Sequence, residues 1–457
     1  MSSSLNRVVS HRKKSSPVQW IVVSFIIIIL TGALLLSMPF SSQTGESTAF
    51  IDALFTSASA TCVTGLVVFD TLTHWSLAGE LIILGLIQLG ALGFVTLFTF
   101  VTLTFKNKLG LRDVQLIQET TGFLGKGSIV SILRIAVLFT FSCEFLGALL
   151  LMTRFVPEFG TRGIYVAVFM AVSSYCNAGF DILGPEKASL STYNDDPVVI
   201  YTLSLLTIIG GLGFIVINDL RTAYLTKDKT PLSLHSKIVF ITSAALLIIG
   251  FFGFLIFEWD NTFYGFSFGE KINAAFFQSS CTRTAGFASI NLDDMHIYTK
   301  FLYIAFMFIG AAPGSTAGGI KTTVFVVMVM TVVCVMSGRE DTIIGKKRVH
   351  RGVVYKSLAI VALALCVILV TTFVLIVSQG EDNISPINAL FEAVSAFGTT
   401  GSSCNVTSSL NTLSKAFVIF TMFVGRVGPV SLSLAITSKR RGDSLNTILP
   451  EANLIVG

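Results

Sequence analysis

Charged residues are scarce in this chain. They make up 12% of its 457 residues, whereas a soluble domain of average composition carries about 25%. Apolar residues make up 53%, and the mean hydropathy is +0.79. This deficit of charge excludes a surface that faces water on all sides and indicates an integral membrane protein in contact with lipid.

The sequence also lacks the residue patterns of catalysis and of tightly bound cofactors. Its seven cysteines include no Cys-x-x-Cys pair and no histidine at a metal-ligand spacing, and its five histidines lie outside the long apolar runs. It has no Walker motif. We therefore expect no enzyme activity, no cofactor of the chain's own and no nucleic-acid partner. Four cysteines lie in corresponding regions of the chain, so a metal site is one interpretation of them. The favoured interpretation is that they act as small, buried apolar residues. They are Cys62, Cys176, Cys281 and Cys404.

A cleavable signal peptide is not evident either. The N-terminal segment 1–19 is basic, but the apolar run that follows, Trp20–Met38, leads to no Ala-x-Ala-like cleavage site. At 1.5 Å per residue, about 20 residues cross a hydrocarbon core of about 30 Å. We expect this run to be the first spanning helix.

Small and hydroxylated residues that close on a glycine recur four times along the chain. The glycines are 114, 107 and 115 residues apart. Each follows an apolar stretch of about a dozen residues, which is too short to span the bilayer and is typical of a re-entrant helix. The four segments are Phe55–Val68 (FTSASATCVTGLVV), Phe169–Leu183 (FMAVSSYCNAGFDIL), Phe276–Ile290 (FFQSSCTRTAGFASI) and Phe391–Asn405 (FEAVSAFGTTGSSCN).

Each short stretch lies between two long apolar runs. A unit of span, half-span and span begins and ends on the same side of the membrane, so successive units have the same orientation, as parallel repeats do. The sequence therefore predicts an all-α integral membrane fold with eight spanning helices and four re-entrant pore helices around a pseudo-fourfold axis. The runs are Trp20–Met38, Ile129–Arg154, Lys237–Phe257 and Val353–Val377 before the short stretches, and Leu81–Phe105, Pro197–Leu220, Phe301–Val335 and Leu413–Ile436 after them. The predicted pore units are 20–105, 129–222, 235–336 and 352–437.

The charges are distributed unequally between the two predicted faces of the membrane. If both ends of every unit are cytoplasmic, the inner segments hold 22 Lys and Arg and 8 Asp and Glu, whereas the outer segments hold 7 and 17. Because basic loops stay on the cytoplasmic side, this asymmetry predicts a multi-pass protein of the cell membrane with cytoplasmic ends, 1–19 and 438–457. We also expect the acidic outer face to concentrate cations.

Glycine loops at membrane depth must face protein or water, because an unpaired backbone group costs several kcal/mol in lipid. If the four loops meet on one axis, their carbonyl oxygens can replace the hydration shell of a monovalent cation. The short helices then point their partly negative C-terminal ends at the ion. No carboxylate lies in the four triplets, which disfavours a divalent cation. The alternative is that they are close-packing contacts between helices. The predicted filter residues are Val63, Thr64, Gly65, Asn177, Ala178, Gly179, Thr284, Ala285, Gly286, Thr399, Thr400 and Gly401.

At these residues the chain resembles the Trk/Ktr/HKT superfamily of potassium transporters, and most of all the KtrB membrane subunits of bacterial Ktr systems. The resemblance covers the chain from about Pro17 onward. It is carried by ATCVTGL, CNAGF, TRTAGF and AFGTTG at the loops, and by GALGF (90–94), GGLGF (210–214), GAAPGSTAGGIKTT (310–323) and GRVGP (425–429).

The resemblance implies potassium as the transported ion, and a homodimer carried on a cytosolic ring of nucleotide-binding RCK subunits. In plant relatives, a serine at the first filter glycine is associated with sodium transport, and Gly65 stands at that position here. Trk-type members often carry two additional N-terminal helices, which this chain lacks. That difference favours the Ktr branch.

The last apolar run of unit 3 is too long for one straight span. Its 35 residues, Phe301–Val335, would extend about 52 Å as a helix. Its middle holds four glycines and a proline, so we expect the helix to break there. The resemblance assigns a gate to this loop; the alternative is a simple packing kink. The predicted gate residues are Gly310, Ala311, Ala312, Pro313, Gly314, Ser315, Thr316, Ala317, Gly318 and Gly319, with Lys321 at the inner end and Arg426 on the last span.

Three charges lie at membrane depth in positions that need a polar partner. Arg426 is mid-way along the final span, where a charge costs about 2.5–3.5 kcal/mol on insertion scales, so we expect it to bond the carbonyls of loop 310–319 and latch a closed state. Arg283 either pairs with an outer acid and braces the filter or extends to the membrane surface. Glu144 is either a proton-coupling site or, as expected of an isolated acid, a helix contact.

These features favour channel-like potassium uptake driven by the membrane potential. The alternatives are a sodium- or proton-coupled secondary transporter and a sodium-permeable member of the same superfamily. A coupled transporter is expected to show inverted repeats and several intramembrane acids. A membrane enzyme needs polar residues that converge at one face. The basic stretch 346–351 is either a docking surface for a regulatory protein or an ordinary cytoplasmic loop.

Overall fold

The computed structural model describes residues 17–93, 129–184, 190–224, 231–380 and 383–429. Of residues 17–18 and 129–134, only the backbone is described. Most of the predicted N-terminal segment and the whole predicted tail 438–457 lie outside the described residues. The predicted orientation of the two ends therefore stays a prediction.

Helices dominate the described part of the chain, which also holds one short hairpin. A long helix, a short helix and a return helix follow one another four times, and each such set is called a unit here. The long helices are Pro17–Ser37, Ile129–Phe159, Leu234–Phe257 and Arg351–Gln379. The short helices are Phe50–Cys62, Arg162–Tyr175, Phe268–Cys281 and Pro386–Gly398. The return helices are Leu77–Leu92, Pro197–Gly211, Ile297–Phe308 and Thr412–Val427.

A few shorter elements connect these helices. The helices Phe214–Tyr224 and Thr322–Met336 continue the chain beyond the second and third return helices. Helix Thr71–His74 and the 3-10 turns Pro39–Ser41 and Thr407–Ser409 lie near the short helices. Strands Ile343–Ile344 and Lys347–Arg348 form an antiparallel hairpin between units 3 and 4.

Side-chain caps set the beginnings of several of these helices. The Ser76 hydroxyl accepts from the Gly79 amide, the Asp196 carboxylate from the Val198 amide, and the Asn411 side chain from the Ser414 amide. Each cap occupies one of the amides that lack a partner inside the helix. Ser267 and Glu270 form a reciprocal capping box at the start of the third short helix.

The four long helices have the length and composition to cross a membrane. Large apolar side chains point outward from each of them, for example Ile27, Phe145, Ile241 and Phe373, which are 57–70% exposed. The short helices lie in the interior instead. Phe55, Phe169, Phe277 and Phe391 on these four helices are fully buried. The core therefore surrounds the short helices, and the long helices present apolar surface to lipid.

The predicted span Pro197–Leu220 is not one straight helix. Helices Pro197–Gly211 and Phe214–Tyr224 meet at an angle of 92°. Gly213 lies at the corner with φ +86°, a conformation that residues with a side chain rarely adopt. Its absent side chain also leaves room for the Pro313 carbonyl. A break was expected only in unit 3.

Units 1 and 4 have a left-handed glycine at the corresponding point. Gly93 directly follows the first return helix with φ +75°, and Gly428 directly follows the fourth with φ +90°. These return helices have 16 residues each, which is about 24 Å of helix and less than the thickness of a hydrocarbon core. The continuations of both predicted spans, from 94 and from 430, lie outside the described residues.

Candidate functional site

Each short helix ends close to a residue in the left-handed conformation. These residues are Val63, Asn177, Thr284 and Thr399, with φ of 57°, 60°, 70° and 51°. They are the first residues of the four predicted filter triplets. Asparagine tolerates this conformation, but for β-branched valine and threonine it is a strained outlier that the surroundings must hold in place.

A backbone hydrogen bond of the Schellman type accompanies this turn in three units. The amides of Thr64, Ala178 and Thr400 donate to the carbonyls of Ser59, Ser173 and Ser395, at 2.8, 2.7 and 2.8 Å. In unit 3 the Ala285 amide donates to the Cys281 carbonyl instead, at 3.1 Å. A serine stands six residues before the glycine in every unit, but in units 1, 2 and 4 the bond that closes this turn uses only its backbone carbonyl, which any residue supplies. Sequence reasoning did not predict this left-handed turn.

The four triplet glycines meet in one closed ring, called the glycine ring here. All four have positive φ: 95° at Gly65, 70° at Gly179, 77° at Gly286 and 88° at Gly401. A Cβ added to any of them would lie less than 3.0 Å from the carbonyl oxygen of the middle residue of the next triplet. The glycine and carbonyl pairs are Gly65 with Ala178, Gly179 with Ala285, Gly286 with Thr400, and Gly401 with Thr64. The contacts run from unit 1 through units 2, 3 and 4 and back to unit 1. The backbone of each triplet therefore packs directly against the next, and no side chain fits between the triplets.

One cavity of about 270 Å³ adjoins the ring and is lined by all four glycines. The carboxylates of Asp70 and Asp181 line it as well, together with the polar side chains of Ser403, Asn405 and Thr407. Desolvation raises the pKa of Asp181 to about 7, and the nearby Asp70 carboxylate acts in the same direction. The mouth of the ring is thus polar and acidic.

Loop 310–319 lies against the triplets of units 2 and 4. The Thr316 hydroxyl donates to the Asn177 side-chain oxygen at 2.9 Å, and the Gly318 amide donates to the Thr399 hydroxyl at 3.0 Å. A Cβ on Gly318 would collide with the Thr399 side chain. The loop therefore sits directly under two of the four triplets and interrupts the predicted last span of unit 3.

The same loop is bonded to the return helices of units 2 and 4. The Ala312 amide donates to the Gly211 carbonyl at 3.1 Å, and the Gly319 amide donates to the Gly425 carbonyl at 3.2 Å. Ile309 and Ile320 form a bridge that closes the base of the loop. All ten of its residues are buried or half-buried, namely Gly310, Ala311, Ala312, Pro313, Gly314, Ser315, Thr316, Ala317, Gly318 and Gly319.

Arg426 is bonded to backbone carbonyls of two units. Its guanidinium donates to the Thr316 carbonyl of loop 310–319, and to the Gly90 and Ala91 carbonyls of unit 1. The expected bond to the loop is therefore present, whereas the role of a latch stays a prediction. The Lys321 ammonium donates to the Ala317 carbonyl at 2.7 Å at the end of the same loop.

Glycines bring the return helices close to the short helices in units 1, 2 and 4. A Cβ on Gly90, Gly210 or Gly425 would collide with the Thr61, Tyr175 or Phe397 carbonyl, respectively. Each of these carbonyls belongs to the residue four positions before the ring glycine. The motifs at 90–94, 210–214 and 425–429 thus combine a packing glycine with the left-handed glycine three residues later.

Arg283 is bonded to a side chain of the third long helix. Its guanidinium donates to the Ser243 hydroxyl at 2.9 Å, and the residue is only 6% exposed. Within the described residues it forms no ion pair, so the pairing with an outer acid, one of the two alternatives, is not seen there. Its carbonyl accepts from the Asn177 amide group at 3.4 Å, which ties the triplets of units 2 and 3 together.

Glu144 contacts two polar side chains behind the triplet of unit 2. Its carboxylate accepts from the Gln88 amide group at 3.4 Å and from the Cys176 thiol at 3.6 Å. These are contacts between helices of units 1 and 2. Among the described side chains, no three from His, Cys, Asp and Glu are grouped so that they could hold a metal ion.

Comparison with known proteins gives consistent matches over nearly the whole chain. A model of the family TrkH, described as cation transport protein, matches residues 5–447. The potassium/sodium uptake protein NtpJ of Enterococcus hirae is 37% identical over 98% of both chains. The Ktr system potassium uptake protein B of Bacillus subtilis is 34% identical over 97% of both chains, and that of Vibrio alginolyticus is 35% identical over 90% of both.

The fold has a counterpart among solved structures. The crystal structure of the potassium transporter TrkH from Vibrio parahaemolyticus superimposes with a TM-score of 0.72, covering 94% of this chain and 86% of that one. The two sequences are 19% identical, so this likeness concerns the fold alone.

Proposed function

The chain belongs to the TrkH family of cation transport proteins, and from that premise we propose that it takes up potassium as the membrane subunit of a Ktr-like system. The relatives with the names of potassium uptake proteins match it over nearly their full length. The observation that carries the proposal is the glycine ring, in which the backbones of four triplets pack against one another in cyclic order.

The twelve residues of the triplets form the proposed selectivity filter. A potassium ion that enters the ring exchanges its water shell for carbonyl oxygen atoms, and a small ion fits this set of oxygens less well. Positive φ reverses the direction of a peptide group. The left-handed first residue and the glycine of each triplet therefore point successive carbonyls toward the centre. The C-terminal ends of four short helices add a negative potential that favours cations. The ion needs no charged ligand, in keeping with a monovalent substrate.

The proposed membrane arrangement has four units, at 20–105, 129–222, 235–336 and 352–437. The short helices are re-entrant, and each long and return helix belongs to one crossing of the membrane, which gives eight crossings around a pseudo-fourfold axis. The recurring order of three helices and the cyclic contacts of the ring support it. We place the protein in the cell membrane with both ends in the cytoplasm, on the charge asymmetry of the sequence.

Loop 310–319, with Lys321 and Arg426, forms the proposed gate. The loop lies under Asn177 and Thr399, so an ion that leaves the ring on that side meets it first. In the closed state Arg426 bonds the Thr316 carbonyl, and both cations oppose the passage of potassium. Opening requires the loop to exchange these bonds for others or for water.

The proposed partners are those of a Ktr-like system: a second copy of the chain and a cytosolic nucleotide-binding ring of RCK subunits. The relatives in Bacillus subtilis and Vibrio alginolyticus carry the name of Ktr system proteins, which is the observation that supports this assembly. The chain itself would bind potassium at the filter and lipid along its long helices. Binding of the ring would move loop 310–319 away from the pathway.

The proposal is tested in a bacterium that lacks its own potassium uptake systems. Wild-type protein should restore growth at low potassium, whereas Gly65→Ser and Gly401→Ser should lose potassium uptake or its preference over sodium. Gly265→Ser is the matched control, since Gly265 has φ +85° but a Cβ added there would meet no atom within 4 Å. A wild-type protein that supports no growth, or filter variants that behave like the control, would contradict the proposal.

Sodium is the second candidate substrate, because the relative in Enterococcus hirae is named a potassium/sodium uptake protein. Uptake of labelled sodium, measured with and without competing potassium, separates the two cases. A potassium filter predicts that potassium suppresses the sodium flux at much lower concentration than sodium suppresses the potassium flux.

A further inference from the structure

The glycine ring has one junction that no peptide linker crosses. Units 1 and 2, 2 and 3, and 3 and 4 are consecutive in the chain, whereas unit 4 and unit 1 meet only through contacts between side chains and backbone. At this junction the Gly401 backbone lies against Thr64 and Gly65. The ring can stay closed there only if other groups hold the two units together.

Lys415 and Asp52 form an ion pair across this junction. The ammonium group of Lys415, on the fourth return helix, lies 2.6 Å from an Asp52 carboxylate oxygen on the first short helix. Both side chains are only 13% exposed. Removing one partner of such a buried pair leaves the other charge unpaired away from water, which is costly.

The other end of the same return helix is also bonded to unit 1. Arg426 lies eleven residues after Lys415, about three helical turns or roughly 16 Å along the axis. Its guanidinium donates to the Gly90 and Ala91 carbonyls of unit 1. The fourth return helix is therefore attached to unit 1 at both ends by a cation, with the ring between the two attachments.

The neighbouring junction shows what is particular about this pair. Lys300 is the fourth residue of the third return helix, as Lys415 is of the fourth. It donates to the Asn388 side chain at 3.0 Å, on the short helix of the next unit, and pairs with Asp293 of its own unit at 3.2 Å. The contact between a return-helix lysine and the next short helix is thus repeated between units 3 and 4. There, however, the partner on the short helix is neutral, and the chain itself links the two units.

We propose that the Asp52–Lys415 pair is a positioning element that closes the ring, and that it sets the affinity and selectivity of the filter through the first short helix. The inference rests on the proposed function. Asp52 lies in the first turn of that helix, whose other end leads directly into Val63, Thr64 and Gly65. A helix transmits a displacement at one end to the other, so loosening the pair moves the unit 1 carbonyls relative to Gly401.

The experiment measures rubidium uptake by purified protein in liposomes with its regulatory ring bound, as a function of rubidium concentration and of competing sodium. Asp52→Asn and Lys415→Met should each raise the KM for rubidium on the order of tenfold, a size typical of coupled neighbours, and should make sodium a stronger competitor. The double variant Asp52→Lys with Lys415→Asp restores the pair in reverse and should recover most of the affinity. Asp293→Asn is the control and should change KM less than about twofold.

The split between KM and the maximal rate separates positioning from folding. A variant that merely folds poorly lowers the maximal rate at unchanged KM, and that result in both single variants would overturn the inference. Charge reversal that is no better than the single variants would also overturn it. If the wild-type protein moves no rubidium, the proposed function fails, and the inference falls with it.

Discussion

Two layers of the proposed ion pathway are built in opposite ways. In the glycine ring, all four units place a left-handed residue and a positive-φ glycine at corresponding positions, and each triplet contacts the next in cyclic order. In the layer on the other side of the triplets from the cavity, only unit 3 contributes a long loop among the described residues. An ion with carbonyl ligands on all sides requires equivalent donors, whereas a gate requires a single segment that can move by itself.

The two layers also differ in what holds them. Steric contacts between backbone atoms fix the ring, and no triplet glycine has space for an added Cβ. Hydrogen bonds hold loop 310–319, each of which a rearranged loop can replace by a bond to water or to another group. The expected consequence is that ring variants lose function, whereas loop variants gain uncontrolled transport.

The largest effect is expected from Gly401→Ala. The added Cβ meets the Thr64 carbonyl, and φ of +88° is strained for alanine, so several kcal/mol of strain is spread over the ring. Potassium uptake should fall by about 100-fold or more, since each 1.4 kcal/mol corresponds to a factor of ten. Gly45→Ala is the control, with φ of +71° in open space. Equal activities of the two variants would mean that the ring has no part in transport.

A smaller effect of opposite sign is expected from Arg426→Ala. It removes charge-assisted bonds to the loop and to unit 1, which are typically worth about 1.5–3 kcal/mol each. Uptake without the regulatory ring should rise about tenfold. The preference for potassium should change less than in ring variants, because Lys415 still binds unit 1. The check is rubidium uptake in cells with and without the regulatory subunit; an unchanged dependence on that subunit argues against the latch.

Thr316→Val should open the gate less than Arg426→Ala does. The valine has the shape of threonine but cannot donate to the Asn177 side chain and the Tyr175 carbonyl. A neutral hydrogen bond contributes about 1 kcal/mol, so basal uptake should rise about fivefold at most. Ser315→Ala is a suitable control, because that hydroxyl bonds only within the loop, to the Ala312 carbonyl. Lower basal uptake in Thr316→Val would contradict the closed-state interpretation of the loop.

The smallest effect concerns pH at the mouth of the ring. The pKa of Asp181 is raised to about 7, so the group is charged above that pH and becomes neutral as the pH falls. Loss of a carboxylate that attracts cations should lower rubidium uptake at limiting concentration by about twofold between pH 8 and pH 6, an effect that salt weakens. Asp181→Asn should remove this dependence. A variant with the pH profile of the wild type would exclude Asp181 as its source.

Local patterns in the sequence were sufficient to predict much of the fold. The apolar run Trp20–Met38 corresponds to the long helix Pro17–Ser37, and the glycines and proline of 310–319 to the loop. Hydropathy predicts such helices, because whether a segment is stable in lipid depends only on the side chains of that segment. The spacing of the four glycines likewise identified the segments that meet in the ring.

The remaining features depend on atoms that are distant in the sequence. The turn at Gly213 depends on the Pro313 carbonyl, and the partner of Arg283 is Ser243 on another helix. Lys415 and Asp52 are 363 residues apart, so no window of sequence contains both. The strained φ of Val63 and Thr399 is imposed by the ring as a whole, against the preference of either residue.

The central claim is that the four triplets hold a dehydrated monovalent cation with their carbonyl oxygen atoms. Anomalous diffraction from crystals of the full chain grown in rubidium tests it directly. The account predicts an ion peak at the centre of the glycine ring, surrounded by oxygens of all four triplets. A structure with the glycines apart, or a closed ring with no rubidium in it, would contradict the account.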